Sequence, residues 1–287
     1  MREADVSVLA VGFFDGVHLG HQAILRGATA ALTFRNHPLS VLAPDRAPPL
    51  MMGVDERLAA ISDCGVADVV ALDFTPELAA LSPAAFIEKA RGLYPFSVVR
   101  CGADWRFGSG GEGSAEWLRA HGTPVEVAPY AEWRGERISS SRIRAALSHG
   151  EVEDANAMMG RRLRVAGRRF GGKGIGGSLG FPTVNLASGA SVLALLPHGV
   201  YMVEAAGARG VANYGVAPTL GERAWKEPVL EIHFPEGEPP SADSASLEVS
   251  FLRFLRAERR FASLADLKSQ IAADCTAALD MEPNIAC

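Results

Sequence analysis

The sequence predicts two domains of different class: an α/β domain on a parallel sheet, then a β domain that closes on a helix. Three observations carry this. Apolar runs of strand length alternate with helix-length segments through the first half of the chain. After about residue 150 that alternation stops, glycines crowd residues 167–180, and short β-like runs follow at hairpin spacing. An amphipathic stretch then closes the chain.

The elements follow in order. Val6–Phe13 reads as a buried strand that breaks into a glycine-punctuated loop, Gly12–His21. Ala30–Phe34, Val66–Leu72 and Ser97–Cys101 read as further buried strands, with helices over Gly53–Cys64 and Pro83–Leu93, the latter capped by Ser82. Such alternation implies right-handed βαβ units, whose ligands sit at the carboxyl ends of the strands. The Gly12–His21 loop lies at such an end. Ile143–Leu147 and Glu151–Met159 read as short helices near the boundary, giving domains 1–150 and 151–287. In the second domain Gly199–Ala206, Val211–Val216, Val229–Phe234 and Leu247–Phe254 read as strands of an antiparallel barrel or sandwich. A last helix is expected over Leu264–Leu279, with Ser263 as cap and Leu264, Leu267, Ile271 and Cys275 as its apolar stripe.

Composition bounds the function. The 287 residues are 48% hydrophobic and 21% charged, as in a folded globular protein. The formal charge of −5 argues against a general nucleic-acid or anionic-membrane surface. No stretch approaches the roughly 18 apolar residues of a membrane helix, and the start of the chain lacks the pattern of a signal peptide. Cys64, Cys101, Cys275 and Cys287 form no C-x-x-C pair, so free thiols in a reducing cytoplasm are expected. Oligomeric state is not legible.

The chemistry is concentrated in a few segments. His18 and His21, three apart at a helix start, face one side. Gly16 and Gly20 let backbone approach a ligand, and the helix N-terminus favours phosphate. Ser139, Ser140 and Ser141 with Arg142 and Arg144 supply hydroxyls and guanidiniums at another helix start. Gly172, Lys173, Gly174, Gly176 and Gly180 can wrap phosphates as a nest. Thr183 and Asn185 offer hard oxygens suited to Mg²⁺. Glu231, within an alternating strand, is on pattern alone a solvent-facing carboxylate.

These segments together resemble the bifunctional bacterial riboflavin kinase/FMN adenylyltransferase family. The G-F-F-D-G-V-H-x-G-H signature stands at Gly12–His21 and S-S-S-x-I-R at Ser139–Arg144. A flavin-side loop follows at Gly102–Gly108, a Gly-rich loop with G-F-P-T-x-N at Gly172–Asn185, and an acidic strand at Val229–His233. The resemblance covers nearly the whole chain. It implies a Rossmann-like nucleotidyltransferase domain followed by an antiparallel β-barrel kinase domain with a terminal helix. It implies phosphorylation of riboflavin by ATP to FMN, then adenylylation of FMN by a second ATP to FAD with release of pyrophosphate. ATP would be held by Gly12, Phe13, Asp15, Gly16, Gly20 and Ser139–Ser141 in one domain, and by the Gly172–Gly180 loop in the other. His18, His21 and Arg144 would stabilise adenylyl transfer, and Glu231 would be the general base of the kinase. Asp104, Arg106, Phe107, Phe181 and Pro182 would bind flavin, and Thr183 and Asn185 would bind Mg²⁺.

The chain departs from the family pattern at five places. Only eleven residues separate His21 from Thr33, which predicts a cramped return to the second strand. The segment Thr33–Pro38 lacks the acidic residue and first proline usual there, Gly177 and Ala217 replace basic residues, and Phe234–Ala245 replaces a familiar turn. These departures keep open a kinase lacking the adenylyl step and a non-catalytic flavin-binding protein. A nucleotidyltransferase for another acceptor is opposed by the second domain.

Overall fold

A computed structural model describes residues 6–171, 177, 180–215, 228–236 and 245–280. The chain forms two compact units, Met1–Ser140 and Ser141–Cys287.

The first unit is built on five parallel strands: β1 (Val8–Val11), β2 (Ala30–Phe34), β3 (Asp68–Leu72), β4 (Val98–Gly102) and β5 (Val125–Ala128). Their spatial order is β3-β2-β1-β4-β5, so the chain reverses direction across the sheet beside β1. β1 is buried along its whole length, as an apolar central strand must be. Helices α1 (Leu19–Leu25), α3 (Val54–Asp63), α5 (Pro83–Leu93) and α6 (Ala115–Ala120) connect the strands, with a short α2 (Leu39–Leu42) and α4 (Pro76–Ala79) between them. Ser82 caps α5 by accepting the Ala85 amide at 3.3 Å. Leu9, Val11, Leu32, Val99, Phe86, Ile87, Phe107 and Leu118 form the buried core of this unit.

The short return after the histidine loop fits without distortion of β2. α1 needs only seven residues, and Gly27 turns the chain at φ 72°. Thr29 then ties the return to β1, its hydroxyl accepting the Val8 amide at 2.9 Å and donating to the Val8 carbonyl at 3.0 Å. At the far end of β2, Asn36 clasps the segment that follows β3. Its side chain accepts the Phe74 amide at 2.8 Å and donates to the Phe74 carbonyl at 2.9 Å, a clasp that proline cannot make.

A small hairpin, β6 (Glu132–Trp133) with β7 (Glu136–Arg137), precedes α7 (Ser140–Ser148) and α8 (Val152–Met159). The second unit is a closed antiparallel barrel, which decides between barrel and sandwich. Its strands are β8 (Leu163–Phe170), β9 (Thr183–Ala187), β10 (Gly199–Ala205), β11 (Ala208–Gly215), β12 (Val229–His233) and β13 (Ser246–Ala257). They close in the order β10-β11-β12-β9-β8-β13.

The terminal helix, Leu264–Asp280, covers Val200, Met202, Val211 and Leu252 with Cys275 and Ala278. The apolar stripe is therefore shorter than the sequence suggests, for Leu264 is 65% exposed and contact begins near Ile271. Ser263 caps the helix, accepting the Asp266 amide at 3.1 Å and donating to its carboxylate at 2.8 Å. Arg256 grips the buried Asp274 carboxylate through Nε at 3.0 Å and Nη2 at 2.7 Å, fixing the helix to β13.

Candidate active sites

The histidine loop leaves the carboxyl end of β1 through a strained turn. Gly16 has φ 81°, where a Cβ would lie 2.6 Å from the Met51 methyl, so glycine is required there. Phe14 (φ 58°) and Val17 (φ 37°) adopt the same left-handed region without that excuse. Each such residue costs on the order of 1–3 kcal/mol, and such strain clusters at functional sites. The surroundings hold the turn in place. Asp15, 2% exposed, accepts the Met51 amide on both carboxylate oxygens (3.1 and 3.2 Å). Thr33 donates to the Phe13 carbonyl at 3.1 Å, and Ser140 to the Asp15 carbonyl at 3.1 Å.

At the end of this turn His18 is the N-cap of α1, its Nδ1 accepting the His21 amide at 3.3 Å. An Nδ1 that accepts has no proton, so the neutral ring carries its proton on Nε2 and offers a donor there. The two imidazoles stack with centroids 3.6 Å apart and planes at 18°, while Phe14 stands edge-on to His21 at 5.4 Å. The spacing read from the sequence does bring both rings to one place.

They line a cavity of about 260 Å³ together with Gly12, Gly20, Asp104, Ser139 and Ser140. The lining adds Trp105, from the expected flavin-side loop, and two residues that sequence reasoning missed, Tyr130 and Arg137. Arg137 donates to Asp104 at 2.7 Å and lies 3.9 Å above the Tyr130 ring, a charged and aromatic platform at the mouth. The only available signal was that Arg137 immediately precedes the Ile-Ser-Ser-Ser run. Other expected residues lie elsewhere. Phe107 is in the core, stacked on Trp105 at 4.4 Å, and Arg106 is exposed outside the lining. Phe13 packs against His37 at 4.7 Å and not into the cavity. Ser141 is exposed and Arg144 half-buried on α7, where Arg144 falls one turn after Ser140 on the same face.

The second constellation stands on the barrel. Glu231 pairs across the ladder with Asn213 on one side and Asn185 on the other, and His233 pairs with Thr183. Side chains alternate along strands, so these residues share one face, with directly opposite Cβ atoms about 5 Å apart. Leu186, Leu230 and Ile232 point the other way and are buried in the barrel. Burial, and then the nearby Glu258, push the Glu231 carboxyl above its ordinary value. Asn213 donates to Glu258 at 3.5 Å, so that second carboxylate has a place in the row. His233 Nδ1 donates to the Pro182 carbonyl at 2.9 Å, and Phe181 meets the His233 ring edge-on at 5.2 Å. Phe181 and Pro182 thus stand beside Thr183. Gly177 and Gly180 are exposed, while Gly172, Lys173, Gly174, Gly176 and Ala217 lie outside the described residues.

Three further observations bound these sites. Among the described residues no group of three or more His, Cys, Asp and Glu side chains could hold a metal. No helix among them is long and apolar enough to cross a membrane. Cys101 and Cys275 are buried free thiols.

Comparison with known proteins gives the same division. Residues 1–142 match the FAD synthetase family and residues 159–281 the riboflavin kinase family. The chain is 32% identical to the bifunctional riboflavin kinase/FMN adenylyltransferase of Bacillus subtilis over 99% of its own length and 95% of the relative's. It is 33% identical to the protein of the same description from Escherichia coli, covering 93% of this chain and 90% of that one. A crystal structure described as a macrolide-efflux protein from Streptococcus pneumoniae superposes with a TM-score of 0.84. It is 27% identical and covers 96% of this chain and 95% of that one.

Proposed function

The chain belongs to the bifunctional riboflavin kinase/FMN adenylyltransferase family, and from that premise we propose how its residues divide the work. It phosphorylates riboflavin to FMN and adenylylates FMN to FAD, each step with ATP. We assign residues 1–150 to adenylyl transfer and 151–287 to the kinase. The observation that supports this best is that two separate phosphate-handling constellations stand in two units of one chain. One is the stacked His18–His21 pair in its cavity, the other the Asn185–Glu231–Asn213 row.

In the kinase step the riboflavin 5′-hydroxyl attacks the γ-phosphorus of ATP, the bond to the bridging β,γ-oxygen breaks, and ADP leaves. Glu231, raised by burial toward a proton-accepting role, takes the hydroxyl proton. Thr183 and Asn185 give two neutral hard oxygens on one strand face beside a carboxylate, which fits Mg²⁺, an ion that takes few protein ligands and keeps its phosphates and waters. Bound there, the ion would offset phosphate charge. Phe181 and Pro182 supply an apolar edge for the flavin next to that face, and the Gly172–Gly180 loop would cradle the ATP phosphates.

In the second step an FMN phosphate oxygen attacks the α-phosphorus of ATP and pyrophosphate leaves. His18 donates from Nε2 and His21 stacks behind it. Gly12, Gly16, Gly20 and Ser139–Ser141 hold the nucleotide, with Arg144 one turn along α7. Asp104, fixed by Arg137, faces the flavin. No covalent enzyme intermediate is required, since positioning and charge stabilisation supply the catalysis. Free thiols accord with a cytoplasmic enzyme.

A kinase-only reading is not favoured, because residues 1–142 match FAD synthetase and the short crossover closes cleanly. Incubation of the protein with riboflavin, ATP and Mg²⁺, followed by chromatography, should show FMN and then FAD. Absence of both products sinks the assignment.

A further inference from the structure

Arg57 is the largest fully buried side chain among the described residues, at 0% exposure. It reaches from α3 to the carboxyl end of β2, where Nη2 donates to the Phe34 carbonyl at 2.6 Å and the Arg35 carbonyl at 3.0 Å. Its guanidinium carbon lies 4.3 Å over the Phe13 ring. Nε and Nη1 are buried with no hydrogen-bond partner. Burial lowers the guanidinium from its ordinary value, and the Asp15 carboxylate opposes that.

Such an arrangement is a poor way to gain stability. A buried cation with two unsatisfied donors is often matched or bettered by an apolar residue of similar volume. What it does supply is geometry. One planar group touches three things at once: the carboxyl end of β2, the ring that opens the histidine turn, and the charge field of Asp15 at its centre. That turn is strained at Phe14, Gly16 and Val17, so it relaxes unless its neighbours hold it. Phe13 is pinned from two sides by Arg57 and His37 and through its carbonyl by Thr33, yet it lies outside the cavity.

We propose that Arg57 is a positioning residue for adenylyl transfer. Acting through Phe13, it holds the turn that sets His18 against the reacting phosphate. The proposal rests on the adenylyltransferase reading given above.

The test uses the full chain and FMN with ATP, measured as single-turnover rate constants, which do not depend on the fraction of chain that is folded. Arg57→Lys keeps the charge and loses the planar fork. It should slow FAD formation by about 10- to 100-fold, the scale of a small misplacement of reacting groups. The KM for ATP should stay within roughly twofold, because ground-state binding is not what is lost. Phe13→Leu should do the same, and the double variant should be no slower than the worse single one, as for residues acting through one contact. Multiplying effects, an unchanged rate in Arg57→Lys, or a loss confined to KM overturns the proposal. If circular dichroism shows Arg57→Lys misfolded, Phe13→Leu alone decides: a wild-type rate overturns, and a slow rate at unchanged KM supports. Failure of the unmutated chain to turn FMN into FAD is a different result, and it removes the underlying reading instead.

Discussion

At the scale of single residues, the two sites ask their side chains for opposite things. His18 accepts at Nδ1 to cap α1, and in the proposed mechanism it donates at Nε2 to a phosphate while Glu231 receives a proton. Reciprocal variants should separate them. His18→Asn keeps a cap, since asparagine also accepts an amide proton, and removes the Nε2 donor together with the ring stacked on His21. It should lower FMN adenylylation by about 10²–10³-fold, the usual loss for one charge-stabilising donor. Glu231→Gln should lower riboflavin phosphorylation by about 10²–10⁴-fold, as for loss of a general base. Each variant should leave the other step intact when the two are assayed separately with riboflavin and with FMN. Simultaneous loss of both steps in a folded variant would refute the division of labour. At this scale the histidine pair was readable from the sequence because spacing on a helix fixes a shared face. Arg137, Tyr130 and Glu258 were not, because each reaches its partner through tertiary contact.

At the scale of elements, the barrel leaves no room for a side chain at Gly199, where β10 meets β13. A Cβ on Gly199 would stand 2.3 Å from the Arg256 carbonyl oxygen and 2.6 Å from the Phe254 ring. Backbone cannot step aside as a flexible side chain can. Gly199→Ala should therefore destabilise the second unit by about 1–3 kcal/mol, the range of overpacked cores. The measurement is the thermal unfolding midpoint together with kinase activity, and FMN adenylylation should persist below that midpoint. An unchanged midpoint would mean that the β10–β13 seam is looser than its geometry. Element by element, the sequence was most legible where burial is continuous. β1 and β2 are apolar runs, and α5 announces itself through Ser82 and Pro83. β8 was hidden. Its inward positions are Leu163, Val165 and Gly167, set among arginines, and Gly167 shows no apolar signal though it packs against Leu186. β5, four residues with one glutamate, is too short for a period to emerge.

At the scale of the whole molecule, each unit has its own core, and the histidine pair and the Glu231 row belong to different units. Two separate sites predict that FMN released into solution links the steps. A mixture of the His18→Asn and Glu231→Gln chains should convert riboflavin to FAD, with FMN rising first and FAD after a lag. Accumulation of FMN without FAD in that mixture, while each variant keeps its own remaining step, would require transfer inside one chain. The two family matches, residues 1–142 and 159–281, thus fall largely on two separately cored units, with the stacked histidines in the first and the Glu231 row in the second.

Closure of the barrel has one more consequence, for how this sequence can change. β12 is paired on both sides, with β11 and with β9, so it has no free edge along which to slide. Side chains alternate, and one residue inserted between Val229 and Glu231 would turn the carboxylate into the barrel and an isoleucine or leucine out of it. Two inserted residues would restore the face and merely shift the row along the ladder. The barrel therefore acts as a parity filter on lineage: the strand that carries Glu231 can lengthen or shorten in even steps, and odd ones are removed with the fold.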